Sequence, residues 1–393
     1  MSHRFTVHVS TALAFGPIGI IWAFLPIHLR SLGASYLLIA LVSLIPAIET
    51  IGLSPMWGGI LDKTGRGNKI LLISLLAQGV GFTIFPFLKG PEEFVLVVSL
   101  MGLFSSSFIP VYGAMATLSN RQYGRAIGGF WTTALLGYAT ATLIGGILYQ
   151  YEPVNALFVL GAIYGYLSIL VVLFAPENAL TLKKSLDISK GYWGLLRQRN
   201  IAILCLLSIT VLVSTSAFNS FFTLYLVDVL NGSKLTAGLA ATGTTVLGVF
   251  AYMLVGPLND KVGRKPVFIL GAVGYTAYFT ILYFVTNVVV VTILWILPIY
   301  PLVQSAAAAL MSDYTSAADR GKGLGLLESA ISLGGGLGPL AGGLIADAAQ
   351  LQAVIVFSLV IALVSVASSQ ILLKEKPKIM VPASIRSGDV RSS

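Results

Sequence analysis

Long apolar segments alternate with short polar stretches along the whole chain. Twelve segments can be delimited, each close to the ~20 residues that a helix needs to cross a bilayer. Their approximate limits are 5–29, 36–61, 69–88, 94–118, 124–150, 155–174, 200–229, 236–259, 266–286, 288–314, 322–347 and 351–373. Lipid offers no partner to unpaired backbone groups, and the two-residue alternation of a membrane barrel is absent. The pattern therefore predicts an all-α integral membrane protein with twelve transmembrane helices.

A charged loop motif occurs twice, each time between two apolar segments. Both copies read G-x-x-x-D-K-x-G-R, and the second begins 198 positions after the first. The fixed residues are Gly58, Asp62, Lys63, Gly65 and Arg66 in the first copy, and Gly256, Asp260, Lys261, Gly263 and Arg264 in the second. A pattern that recurs at equivalent places predicts two related halves of six helices each.

The distribution of charge predicts the orientation of these halves. Only 10% of the residues are charged, against about 25% in a soluble domain, so the formal charge of +9 does not indicate a nucleic-acid partner. If the N-terminus is cytoplasmic, only Arg30, Lys89 and Lys234 of the 24 Lys and Arg residues lie on the outer side. The positive-inside rule then places both termini and both loop motifs in the cytoplasm. We expect a monomeric, multi-pass protein of the plasma membrane, whose solvent is the lipid bilayer.

The two sets of six apolar segments divide the chain into domains. We expect an N-terminal six-helix bundle over 1–174, a cytoplasmic linker over 175–199, a C-terminal six-helix bundle over 200–373 and a cytoplasmic tail over 374–393.

Twelve helices, a six-plus-six repeat, a long central loop and this loop motif together resemble the major facilitator superfamily of secondary transporters. The resemblance covers essentially the whole chain and implies two pseudo-symmetric bundles with a central site. A glycine-rich run in the eleventh segment is a further family-like signature, and its expected helix-packing residues are Gly334, Gly338, Pro339 and Gly342. In many drug/proton antiporters a related motif lies in helix five, where this chain has Ala141-Thr142 in place of Gly-Pro.

Each glycine of the loop motif has an expected physical role. Gly58 and Gly256 precede their aspartates by one helical turn and are expected to let a neighbouring helix approach closely. Gly65 and Gly263 are expected to form the tight turn into the next helix.

The arginines of the motif are expected to form a gate. Arg66 and Arg264 can bridge to acidic groups or to helix C-terminal carbonyls of the adjacent bundle, and such bridges would break as that side opens. Asp313 is the expected partner of Arg264, whereas the aligned position in the first half is Ala116. The alternative is that the basic residues only enforce orientation.

Two carboxyl groups lie inside apolar segments. Glu49 is near the middle of the second segment, and Glu328 is about two turns into the eleventh. An ionised carboxylate near the bilayer centre costs a few kcal/mol, and no Lys or Arg lies at comparable depth, so the protonated form is favoured. Both are therefore candidates for proton coupling, although a protonated Glu can also simply hydrogen-bond a neighbouring helix.

Polar and aromatic residues form stripes at helical spacing in several segments. The resemblance implies that helices 1, 4, 7 and 10 line a central cavity. The candidate cavity residues are Trp22, Tyr112, Trp131, Tyr138, Ser216, Asn219, Tyr300 and Gln304. Helix–helix hydrogen bonding and aromatic packing are the alternative explanation for each of them.

These features favour a secondary transporter that works by alternating access. The small organic substrate would be neutral, lipophilic or cationic, and efflux by proton antiport is the first choice. Proton symport or facilitated uptake of a neutral solute such as a sugar is the second, and a membrane receptor or lipid scramblase is the alternative of another class. No metal-ligand cluster, nucleotide-binding motif or catalytic set is visible, so neither a cofactor nor an enzyme activity is expected.

Overall fold

The computed structural model describes residues 3–118, 123–174, 192–316 and 319–374, and these ranges are helical with short connections. The N-terminal half contains α1 (His3–Ser31), α2 (Tyr36–Thr64), α3 (Gly67–Ile84), α4 in two segments (Pro91–Ser105 and Phe108–Leu118), α5 (Tyr123–Tyr151) and α6 (Asn155–Leu173). A short helix, Tyr192–Leu196, precedes the C-terminal half. That half contains α7 (Arg199–Asn219, continued by Phe222–Leu224 and a π-helical turn at Tyr225–Val229), α8 (Lys234–Val262), α9 (Arg264–Phe284) and α10 in two segments (Val288–Ile296 and Tyr300–Tyr314).

The last helix of the described chain, Arg320–Leu372, holds two spans. Its backbone is non-helical at Ala349 and Gln350, and Gln350 adopts a left-handed φ of 69°. This kink separates α11, residues 320–348, from α12, residues 351–372. The twelve helices predicted from hydropathy are thereby confirmed within the described ranges, with boundaries shifted by a few residues. The predicted linker falls largely outside those ranges, and the predicted tail almost entirely.

Apolar packing differs between the two ends of the molecule. We call the end that carries the two loop motifs the basic end, and the other the opposite end. At the basic end each half has its own buried cluster: one includes Leu71 and Phe130, the other Leu204 and Phe268. At the opposite end a single cluster includes residues of both halves, such as Phe24 and Phe221. Among the residues that the structure describes, the two bundles therefore share a core only at the opposite end.

An interruption in α4 is stabilised by two side chains of α2. Pro110 has no backbone N–H, so the Ser106 carbonyl loses its helical donor and accepts a hydrogen bond from Ser54 Oγ at 2.7 Å. In a regular helix the Ser107 N–H would donate to the Leu103 carbonyl, but here it donates to the Phe104 carbonyl. The Leu103 carbonyl accepts a hydrogen bond from Trp57 Nε1 at 3.0 Å. The break at 106–107 therefore leaves these carbonyls paired, as buried backbone groups require.

A second interruption, in α10, is stabilised in the same manner by α8. Pro298 stops the first segment, and the Ile299 N–H bonds to the Leu297 carbonyl at 3.0 Å. The Trp295 carbonyl, which Ile299 would bond in a continuous helix, accepts from Thr244 Oγ1 at 2.6 Å. The sequence indicates this kink through Pro298, but not the hydroxyl that satisfies it.

Candidate functional site

Glycine-mediated contacts join the two bundles at the opposite end. A Cβ placed on Gly238 of α8 would lie only 2.7 Å from the Cα of Gly146 in α5. A Cβ on Gly343 of α11 would lie 2.9 Å from both the Tyr36 carbonyl oxygen and the Ala40 Cβ of α2. Because real Cβ atoms do not approach backbone atoms so closely, only glycine allows these helices to cross at this distance.

Polar groups reinforce the same closure. The hydroxyls of Thr142 in α5 and Thr242 in α8 lie 2.9 Å apart. Asp347, near the end of α11, accepts the backbone N–H of Tyr36 at 2.8 Å and that of Leu37 at 2.9 Å. A carboxylate there complements the positive end of the α2 dipole, as a capping residue does, but it belongs to the other bundle.

All three basic residues expected on the outer side lie at this end, and two of them contact aromatic rings. The Arg30 guanidinium is 4.3 Å from the centre of the Tyr36 ring, and the Lys234 ammonium is 3.9 Å from that of Tyr149. Lys234 begins α8 and Tyr149 is in α5, so their cation–π contact crosses between the bundles.

The loop motifs end their helices as the glycines predict. Gly65 has a φ of 64° and donates its N–H to the Leu61 carbonyl at 2.7 Å, which closes the C-terminus of α2. Gly263 has a φ of 108° and separates α8 from α9. A positive φ is strained for any side chain, so both positions require glycine.

In the second half, the motif arginine is paired. Arg264 forms an ion pair with Asp313 at the end of α10, the partner expected from the sequence. Beside it, Asn259 Nδ2 of α8 donates to Ser305 Oγ of α10 at 2.9 Å, and Lys265 Nζ donates to the Gln370 carbonyl at 3.0 Å. All these contacts lie within the C-terminal bundle, and they fix α8, α9, α10 and α12 to one another. The first-half position that aligns with Asp313 is Ala116, whose side chain is outside the part that the structure describes.

The first glycine of each motif does not have the contact expected of it. A Cβ on Gly256 would meet no atom within 4 Å in the described part, and one on Gly58 would only touch Pro110 Cβ at 4.0 Å. The expectation of a close helix approach at these two positions is wrong for this structure, because the bundles do not share a core at the basic end. Lys63, Arg66 and Lys261 are exposed there.

Glu49 lies in a notch of α4. Its carboxyl packs over the backbone of Gly102, where a Cβ would collide with the Oε2 atom. This oxygen is buried and has no hydrogen-bond partner among the described residues. A carboxylate in such a position would be uncompensated, whereas a protonated carboxyl carries no net charge. The geometry therefore suits a group that binds and releases a proton.

A polar group joins α8 and α10 in the C-terminal bundle. Tyr252 of α8 donates to Gln304 Oε1 of α10 at 2.5 Å, and its ring meets that of Tyr300 edge-on at 5.7 Å. Two of the candidate cavity residues, Tyr300 and Gln304, thus contact the same side chain, and the contribution of Tyr252 was not predicted. Glu328, the candidate coupling residue of α11, has an exposed side chain.

The remaining cavity candidates divide into two groups. Trp22 and Trp131 are 46% and 41% exposed, and Trp131 meets the ring of Phe15 at 6.3 Å. Asn219 is also exposed, at the end of the first segment of α7. Tyr138 is half-buried against Gly19 of α1.

Two candidates belong to helix packing instead. Tyr112 is fully buried, with its ring between Phe108 and Phe130, so the expectation that it lines a cavity is wrong for this structure. Ser216 donates to the Gly334 carbonyl at 3.1 Å, which ties α7 to α11.

The glycine-rich run packs α11 against α7. A Cβ on Gly338 would lie 2.8 Å from the Ala217 nitrogen, and one on Gly334 would lie 2.8 Å from the Ile209 carbonyl oxygen. Gly342 and Pro339 are buried in the same interface region.

Sequence reasoning missed the contacts of the opposite end. Asp347 is the last residue of the eleventh apolar segment, and an acidic residue at the end of such a segment is ordinary. Thr142 and Thr242 are 100 residues apart, a distance that does not match the repeat of 197–198 residues. A single sequence therefore gives no sign that their side chains meet. Among the described residues no group of three His, Cys, Asp or Glu side chains is placed to hold a metal ion.

Comparison with known proteins defines the class. The family model of the Major Facilitator Superfamily matches residues 7–218 and 204–388, and the chain belongs to this family. It is similar to multidrug resistance protein MdtG of Klebsiella pneumoniae (strain 342), with 26% identity over 272 residues, and to MdtG of Rahnella sp. (strain Y9602), with 27% over 286 residues. The first alignment covers 65% of this chain and 64% of the Klebsiella protein, and the second covers 67% of each chain.

Solved structures share the fold. The nucleoside transporter NupG superposes with a TM-score of 0.82 at 14% identity, over 96% of this chain and 100% of that one. A bacterial homologue of the lysosomal transporter Spinster, in an inward-facing and occupied conformation, superposes with a TM-score of 0.77 at 15% identity, over 94% and 96%. At these identities the likeness shows the all-α, two-bundle membrane fold and nothing about substrate.

Proposed function

We propose that this protein is a secondary active transporter that exports a small organic solute by alternating access, in exchange for protons. The observation that carries this proposal is the one-sided closure of the two bundles. They share a core and cross closely at Gly146 and Gly238 at the opposite end, while at the basic end no described residue of the other bundle lies close to Gly256 or Gly58. Such an arrangement is one of the two states that alternating access requires.

Orientation follows from charge. Because Lys and Arg concentrate at the basic end, we assign that end to the cytoplasm, with both termini on the same side. The structure then represents the inward-facing state of a monomer in the plasma membrane. The names of the MdtG relatives support drug-like substrates and export rather than uptake.

The loop motifs would act as the gate of the other state. When the opposite end opens, the basic end must close, and Gly58 and Gly256 are free to accept a helix of the other bundle. The pairing of Arg264 with Asp313 holds α9 to α10, so the C-terminal motif is already preorganised for that contact.

Proton coupling is assigned to Glu49 and Glu328. The experiment uses the full chain in proteoliposomes with an imposed pH gradient, with ethidium as a cationic probe and chloramphenicol as a neutral one. We expect an acidic lumen to drive accumulation of at least one probe inside the vesicles, because in an exchanger protons leave the lumen as the probe enters. Glu49→Gln and Glu328→Gln should each abolish accumulation while counterflow of the same probe persists.

A matched control is Glu152→Gln, which makes the same chemical change at an exposed position between α5 and α6. It should accumulate the probe as the wild type does. Retention of full accumulation in both Glu49→Gln and Glu328→Gln would show that neither carboxyl couples transport to protons. Accumulation driven by an alkaline lumen would favour symport instead of antiport, because probe and protons would then enter together.

A further inference from the structure

One aromatic ring at the opposite end is covered by a cation from the other bundle. The Lys234 ammonium, at the start of α8, lies 3.9 Å from the centre of the Tyr149 ring in α5. Tyr149 is only 5% exposed, and its ring meets that of Phe24 in a T-shaped contact with centroids 6.0 Å apart. A ring that its neighbours hold in place and that faces an ammonium at this distance is a cation–π site.

The ring is the partner that the structure gives this ammonium. Among the described residues, the Lys234 side chain forms no hydrogen bond or ion pair. It is half-buried, so part of its hydration is given up for the contact with Tyr149. The structure therefore shows the Tyr149 ring binding an organic ammonium, which in this case is tethered to the chain.

The position of this pair makes its contact depend on closure. Tyr149 lies three residues beyond Gly146 in α5. Lys234 lies four residues before Gly238 in α8. Both are thus about one helical turn from the close crossing of these two helices. Because α5 and α8 belong to different bundles, separation of this crossing withdraws Lys234 from the ring and uncovers the face that it occupied.

A second cation–π pair at this end provides a comparison. The Arg30 guanidinium lies 4.3 Å from the centre of the Tyr36 ring, and both residues belong to the N-terminal bundle. Arg30 also donates to the Ala34 carbonyl at 2.9 Å, again within that bundle. This pair moves as one unit, so of these two rings it is Tyr149 that loses its cation when the bundles separate.

We propose that the Tyr149 ring is a binding site for a small organic cation, which Lys234 occupies while the opposite end is closed and a cationic solute occupies when that end opens. The ligand chemistry is an ammonium group held through its charge against an aromatic face. The inference rests on the proposed transport function, since opening of this end vacates the ring. It narrows the exported solute to one that carries a cationic nitrogen.

The test vacates the ring without opening the bundles. Lys234→Ala removes the side chain beyond Cβ, and n-propylammonium restores the lost atoms as a free molecule. The control probe is 1-propanol, which has nearly the same size and no charge. Binding to the full-length protein in nanodiscs is measured by titrations followed with saturation-transfer difference NMR.

The expected results follow from competition for the ring. Lys234→Ala should bind n-propylammonium at least about tenfold more tightly than the wild type, because the tethered ammonium no longer competes. It should bind 1-propanol at least about fivefold more weakly than n-propylammonium, because the neutral probe lacks the cation–π attraction. In the Lys234→Ala background, Tyr149→Leu should weaken n-propylammonium binding about five- to thirtyfold, whereas Tyr149→Phe, which keeps the aromatic face, should retain most of it.

Two exposed positions supply matched controls. Lys89→Ala makes the lysine change in the α3–α4 connection and should bind n-propylammonium as the wild type does. Tyr151→Leu, at a side chain of α5 that is 76% exposed, should bind as its Lys234→Ala parent does. Equal binding of n-propylammonium by the wild type and Lys234→Ala, or equal binding of both probes by Lys234→Ala, would overturn the site. These two comparisons need no change at Tyr149, so they decide the matter even if Tyr149→Leu does not fold.

This outcome is separable from the proposed function. If Lys234→Ala gains n-propylammonium binding through Tyr149 while no solute accumulates under a pH gradient, the cation site holds and proton-driven transport fails. If accumulation depends on Glu49 and Glu328 while Lys234→Ala gains no binding, transport holds and the cation site fails.

Discussion

The crossing of α5 and α8 gives a sharp prediction for Gly238→Ala. The added Cβ would lie 2.7 Å from Gly146 Cα and 2.8 Å from the Thr142 carbonyl oxygen. Both are backbone atoms of the other bundle, so neither can rotate away as a flexible side chain would. The helices must separate by roughly 1 Å at this point to reach ordinary van der Waals contact.

The energetic effect follows from this overlap. Forcing a methyl group into a well-packed contact costs about 1–3 kcal/mol. The strain exists only while the opposite end is closed, so it acts entirely on the balance between the two states. The ratio of the closed to the open state of that end should fall about 5- to 150-fold.

The assay is a distance measurement by double electron–electron resonance in a Cys205→Ser background, which removes the single native cysteine. Spin labels at Lys89 and Thr286 report on the opposite end from both bundles, since these residues lie in the α3–α4 and α9–α10 connections. Gly238→Ala should shift the distribution toward longer distances. Gly335→Ala is the control, because a Cβ there meets no atom within 4 Å. An unchanged distribution in Gly238→Ala, or an equal shift in Gly335→Ala, would refute the steric reasoning.

Three further changes test other contacts. Asp347→Ala removes the carboxylate that accepts two N–H groups of α2, so the closed state of the opposite end should lose about 0.5–2 kcal/mol relative to the open state, read with the same spin labels. Asp347→Asn should keep most of the closure, and equal distance distributions in the wild type and both variants would contradict the capping role. A double-mutant cycle of Arg264→Gln and Asp313→Asn, read as transport rate, should show strong non-additivity, and strictly additive losses would mean that the ion pair has no functional weight. Ser54→Ala leaves the Ser106 carbonyl without its donor and should lower the free energy of unfolding by about 1–3 kcal/mol in thermal denaturation, with Ser31→Ala at an exposed position as the neutral reference.

Hydropathy and repeats predict the helices well because the bilayer dictates their length and backbone pairing. The pairing of Arg264 with Asp313 was also expected, since both residues belong to the basic end and carry opposite charge. Tyr112 was misassigned because helical spacing places a residue on a face but does not say whether that face meets a cavity or another helix.

Contacts between the bundles were beyond prediction from a single sequence. Gly146 is visible as part of a repeated glycine pair, but its neighbour Gly238 comes from the other half and depends on how the bundles are tilted. That tilt differs between the states of a transporter, so residues such as Gly256 that have no contact here are expected to have one elsewhere. One sequence encodes both arrangements, and a pattern along it cannot separate them.

The two interrupted helices have a mechanical consequence. In α4 the break at 106–107 is nearer the basic end, and in α10 the break at 297–299 is nearer the opposite end. The carbonyls of Ser106 and Trp295 are paired with the hydroxyls of Ser54 and Thr244, so each joint lacks a regular helical backbone hydrogen bond that bending would have to break. The two ends of the molecule can thus be opened and closed by different bundles, α4 acting at the basic end and α10 at the opposite end. A change that stiffens one joint should then slow only one half of the transport cycle.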